Sequence, residues 1–135
     1  MRLTATEIDL IRATYAAVAA RVDEASTEFY RDLFAASNEI GRMFRGDMSD
    51  QGMRFMTALG LIVKSLDNPA ILEDQLSALS LGHAAMGVRP GHYAVMNDVL
   101  LETLEKFAGD AWTLEAKAAW RKSLNSIADR MLEAA

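Results

Sequence analysis

Apolar residues recur at helical spacing almost from end to end of this chain, and no segment alternates polar with apolar at a period of two. That pattern excludes most folds at once. Ile8, Ile11, Tyr15, Val18 and Val22 follow one another three or four apart. Phe29, Leu33 and Phe34 continue the pattern, as do Leu72, Leu76 and Leu79, and later Leu114, Trp120, Leu124, Ile127 and Met131. The chain is therefore expected to be all-α, with six to seven helices and short connections.

The punctuation agrees. Thr4-Ala-Thr-Glu7 has the spacing of a capping box, a threonine cap with a glutamate three residues on. Ser37 or Asn38 can cap a short turn through Met43 and Phe44. RGDMSDQG, residues 45–52, reads as a break, with the next helix starting at Ser49 or Asp50 and running to about Leu66. Both prolines suit first helical positions, Pro69 after Asp67-Asn68 and Pro90 after Gly87-Val-Arg. Gly87 and Gly109 suit helix ends, and Thr113 the cap of a last helix. Helices crossing in this way can enclose a cavity.

A length of 135 residues fits one domain, taken as 1–135. The hydrophobic share of 51% and charged share of 24% suit a water-soluble protein, and no apolar run reaches bilayer length. The opening MRLTATEIDL lacks the pattern of a secretory signal, so a cytoplasmic location is expected. The net charge of −5 with scattered cations argues against nucleic acid and membrane surfaces as partners. Zero cysteines exclude disulfides and thiolate metal sites. The apolar residues that reach the surface are not countable from sequence, so monomer and homodimer both stay open.

The two histidines lie in LGHAAMGVRPGHY, residues 81–93. His83 shares a helical face with Leu76 and Leu79, so it points where apolar residues point; a packed neutral imidazole is the ordinary reading there. His92 follows Pro90-Gly91 and reads as a surface or capping residue. There is no HExxH and no Glu-x-x-His pair, which disfavours a zinc or di-iron site. One imidazole holds a metal only when a cofactor supplies the other ligands, as haem does.

Four segments in order resemble the globins, in particular bacterial single-domain haemoglobins and the globin part of flavohaemoglobins. They are FYRDLFAASNEIGRMF at 29–44, QGMRFMTALGLIVK at 51–64, LGHAAMGVRPGHY at 81–93 and LLETLEKFAGDAWTLEAKAAW at 100–120. The resemblance implies a globin fold around haem b, with His83 as the proximal iron ligand and Phe44 stacked on the porphyrin. It puts Tyr30 and Gln51 on the opposite face as hydrogen-bond donors to bound dioxygen. It places Phe55 against the ligand, where the family more commonly has an aliphatic residue. Arg54 is a candidate for a haem propionate, and Leu79, Val88 and Met96 for pocket lining. Tyr93 matches a tyrosine that, in flavohaemoglobins, joins a glutamate in a network around the proximal histidine. The glutamate position falls on Ala135, with Glu133 two residues early and turned by about 200°, so the network is incomplete. No flavin or nucleotide motif follows, so electrons are expected from an external reductase.

The function so implied is reversible binding of dioxygen and other diatomic gases, extending to nitric oxide detoxification with that reductase. Two other classes stay open on sequence alone: a haem-based gas sensor acting through a separate partner, and a haem-free globin-fold regulatory module.

Overall fold

A computed structural model describes residues 2–43, 48–85 and 87–134, and the side chains of these except at 48–52, 82–85 and 134. Among the described residues there are seven α-helices and one 3-10 turn. They are α1 (Ala5–Ala19), α2 (Val22–Ala36), α3 (Asn38–Met43), α4 (Met48–Lys64), α5 (Pro69–Ala85), α6 (Pro90–Ala108), the turn Gly109–Ala111, and α7 (Leu114–Ala134). The all-α expectation holds.

The predicted boundary signals act as their chemistry requires. Thr4 accepts from the Glu7 amide at 3.1 Å, and the Glu7 carboxylate accepts from the Thr4 amide at 2.8 Å, completing the capping box. Of the two candidates before α3, Ser37 does the capping, accepting from the Ile40 amide at 3.2 Å. Thr113 accepts from the Ala116 amide at 3.0 Å. Pro69 and Pro90 are first residues of α5 and α6, where a missing N–H leaves no broken bond. Gly87 and Gly109 have φ of +83° and +59°, a conformation other residues rarely adopt. The break between α1 and α2 lies at Ala20-Arg21, where the sequence carries neither Gly nor Pro; Arg21 leaves the helical region with φ −128° and ψ 40°.

The core is one apolar cluster drawing on α1–α7, with Phe29, Leu33, Met56, Leu76, Leu100, Leu104 and Trp120 almost fully buried. Removing so much hydrocarbon from water is the main driving force of the fold. α2 packs on α4 and α6, α1 on α7, α6 and α4, and α5 on α7. Polar bonds fix the register of these contacts. The buried Trp120 indole N–H donates to Thr14 Oγ1 at 2.6 Å, tying α7 to α1.

Two residues of α1 grip α4 by its backbone. The Tyr15 hydroxyl donates to the Met56 carbonyl at 2.6 Å, and it fits because Gly60 beside it has no side chain. Arg12 donates to the carbonyls of Val63 at 3.3 Å and Lys64 at 2.9 Å, closing the end of α4 where helical carbonyls lack intrahelical donors.

Candidate functional site

Four helices surround an apolar cavity. α4 contributes Phe55, Ala58, Leu59 and Ile62; α5 contributes Leu79; α6 contributes Tyr93, Met96, Asn97 and Leu100; α7 contributes Leu124, Ile127, Ala128 and Met131. Counted with its open mouth, about 550 Å³ is free of atoms. α4 is held by α2 and α1, and α5 by α7, so the two walls are anchored to different neighbours with the cavity between them.

The cavity is almost wholly hydrocarbon. Its polar groups are the phenol of Tyr93 and the carboxamide of Asn97, both on α6 and one turn apart. Asn97 Nδ2 donates to the Leu124 carbonyl at 3.5 Å, a long bond. Burial pushes the Tyr93 phenol above its ordinary pKa, so it stays neutral. Among the described residues no group of three or more His, Asp or Glu could hold a metal ion.

Beside the α4 wall stands an aromatic cluster. Phe55 stacks on Phe29, with centroids 4.7 Å apart and planes at 25°, and meets Tyr30 edge-on at 6.3 Å and 80°. Tyr30 also packs edge-on against Phe29 at 5.3 Å and touches Phe34 at 5.6 Å. Tyr30 is only 3% exposed, and desolvation raises its pKa to about 12. Its phenol is thus a neutral donor at any ordinary pH. Phe55 lines the cavity and Tyr30 is in contact with it.

The expected site residues divide as follows. Phe55, Leu79, Tyr93 and Met96 line the cavity. Tyr30 lies next to it through Phe55. Arg54 is exposed on α4. Gln51 and His83 fall on the backbone of α4 and α5, on two of the helices that enclose the cavity, but their side chains lie outside those described, as do Phe44 and Ala135 altogether. Glu133 is exposed.

Val88 and His92 flank the start of α6. Val88, expected as pocket lining, is partly buried against the core. It follows Gly87, whose positive φ turns the chain out of α5. His92 is a cap, as expected, but not a surface residue: it is 8% exposed. Its Nδ1 accepts from the Arg89 amide at 2.9 Å, and its Nε2 lies 3.2 Å from Glu39, which also pairs with Arg89. This cluster fastens the start of α6 to α3. Glu39 is fifty residues away in sequence, so no local signal marked the burial.

Asn97 was missed. One polar residue within MNDVLL, residues 96–101, reads as a solvent-facing position of an amphipathic helix, and only the packing of α6 on α7 turns it inward.

The sequence model of the family described as globin matches residues 27–131. The chain belongs to the globin family. The globin fold and the likeness to flavohaemoglobins that the sequence suggested are thereby established. The flavohemoprotein of Rhizobium meliloti is 28% identical to this globin over 130 residues, covering 94% of this chain and 32% of the relative. That of Vibrio cholerae is 26% identical over 121 residues, covering 87% and 31%. Flavohemoprotein A of Dictyostelium discoideum is 27% identical over 139 residues, covering 99% and 34%. The globin spans about a third of the length of these relatives. Its α1 precedes the matched span.

Proposed function

We propose that residues 1–135 form a single globin domain that binds one haem b in the cavity between α4, α5, α6 and α7, with His83 as the iron ligand, and takes up dioxygen. The observation that carries this reading is the cavity: apolar, lined by four helices, without any metal-binding cluster among the described residues, and walled on one side by the helix that bears His83. The relatives are named for haem, which points the same way.

Haem, when bound, supplies an iron that takes diatomic gases. The protein's part is to hold the ring, exclude water and favour one gas over another. Leu79, Met96 and the α7 residues give the ring a dry bed. His83 would hold the iron as a neutral imidazole, which requires an acceptor for its second ring nitrogen. Phe44 and Arg54 would help hold the group, the one by an aromatic contact and the other by pairing with a propionate. Tyr30 and Gln51 donate to the gas. Dioxygen draws negative charge and gains from such donors, whereas carbon monoxide gains little. A hydrogen bond to a charged acceptor contributes about 1.5–3 kcal/mol, which is roughly ten- to a hundredfold in release rate.

Flavohemoprotein, the relatives' name, couples a flavin to a haem. On that likeness this globin receives electrons from a flavin-bearing reductase and serves to remove nitric oxide. Oxygen and carbon monoxide release, measured on the haem-loaded protein and on Tyr30→Phe and Gln51→Leu, tests the reading. Oxygen release should quicken by about tenfold or more in at least one variant, with carbon monoxide release little changed. Equal acceleration of both gases, or of neither, would refute the donor roles.

A further inference from the structure

Ser80 is a polar residue in an apolar place. It is 1% exposed, on α5, between the buried Leu76 and the cavity-lining Leu79 on one side and His83 three residues on. Alanine would pack there without a polar group to satisfy and with a better helix propensity. A buried hydroxyl persists where it has a specific acceptor. That acceptor is the backbone carbonyl of Met131 on α7.

Met131 is in the last turn of α7 and only 3% exposed. The Ser80 hydroxyl therefore ties α5 to the end of α7 through a buried backbone group. Both ends of the bond adjoin the cavity: Met131 lines it, and so does Leu79, the neighbour of Ser80.

The leucine contacts between α5 and α7 are non-directional and tolerate sliding or rotation of one helix on the other. A hydrogen bond does not, because its geometry fixes where along α7 this turn of α5 sits. The next turn of α5 carries His83. We infer that Ser80 is a positioning residue for the iron ligand: through Met131 it sets the height and rotation of the ligand-bearing turn relative to the cavity. This rests on His83 being the ligand. It also supplies an α5–α7 tie one turn before residue 135, the position at which the flavohaemoglobin likeness expects a carboxylate and this chain has alanine.

The test uses the whole chain, with and without added haemin, as parent, Ser80→Ala and, for comparison, the exposed Leu81→Ala. Two readouts are needed. In the haem-free protein, amide hydrogen exchange in the second half of α5 should quicken in Ser80→Ala and not in Leu81→Ala. In the reduced haem-loaded protein, the iron–imidazole stretching band in resonance Raman should shift or broaden in Ser80→Ala alone. Faster exchange with a superimposable band would show a merely structural serine and overturn the proposal, as would no change in either. A parent-like iron–imidazole band in His83→Ala would instead overturn the ligand assignment, and the positioning role with it. That outcome is distinguishable because it comes from a different variant.

Discussion

The phenol of Tyr30 should resist alkali, and this can be measured without any cofactor. In the folded chain desolvation raises its pKa to about 12, against about 10 for an unfolded tyrosine. Between those values the unfolded state has lost the proton that the folded state keeps. The unfolded state binds fewer protons there, so stability falls as pH rises. The contribution is fully present below pH 10 and is lost progressively towards pH 12. Two units at about 1.4 kcal/mol each give a loss of about 3 kcal/mol across that window. Against a total of roughly 5–15 kcal/mol this is enough to unfold a marginal domain. Tyr15 and Tyr93 are also raised by burial and steepen the slope. The assay is urea unfolding followed by circular dichroism from pH 8 to 12, with tyrosinate absorbance recorded in parallel. Tyr30→Phe should flatten the pH slope by the largest amount of the three single variants. Tyrosinate absorbance equivalent to all three tyrosines near pH 10 while the protein stays folded would refute the burial argument. It would also remove the neutral donor from the proposed site.

Three further outcomes follow from contacts around the cavity. A Cβ at Gly60 would sit 2.7 Å from the Tyr15 hydroxyl oxygen. Gly60→Ala should therefore destabilise despite the gain of about 0.5–1 kcal/mol in helix propensity, and a double-mutant cycle with Tyr15→Phe should show part of the cost relieved; additive costs in urea melts would contradict this. Arg12→Met should cost about 1 kcal/mol by leaving the carbonyls of Val63 and Lys64 to water. Asp67→Asn should cost less, since its pair with Arg12 is exposed; the reverse ranking would show the ion pair to be the stronger element. Phe55→Leu gives up about 1 kcal/mol of ring contact with Phe29 but unscreens Tyr30, so carbon monoxide association to the haem-loaded protein should quicken; slower association would mean Phe55 does not narrow the route.

Helices and their ends were largely legible because their causes are local. A threonine cap with its glutamate, two prolines at first positions and two glycines at helix ends each act within a few residues, and all of them are where the spacing put them. The Ala20-Arg21 break was not legible, since nothing in its own residues stops a helix and the apolar period runs through it. His92 and Asn97 show the same limit at the site. Each is buried by a partner far along the chain, Glu39 for one and Leu124 for the other. Ser80 is similar: one of two serines in a leucine-rich helix, it carries no signal until α7 is seen to end beside it. For Tyr30, the resemblance proposed a ligand-facing phenol, and the packing adds that its ring meets Phe55, which lines the cavity.

The central claim is that the cavity takes haem through His83. Purified protein titrated with haemin, alongside His83→Ala, tests it most directly. The account predicts a sharp Soret band saturating at one haem per chain in the parent, and loss of tight binding in His83→Ala. No Soret band in the parent, or an unaltered spectrum and affinity in the variant, would contradict it.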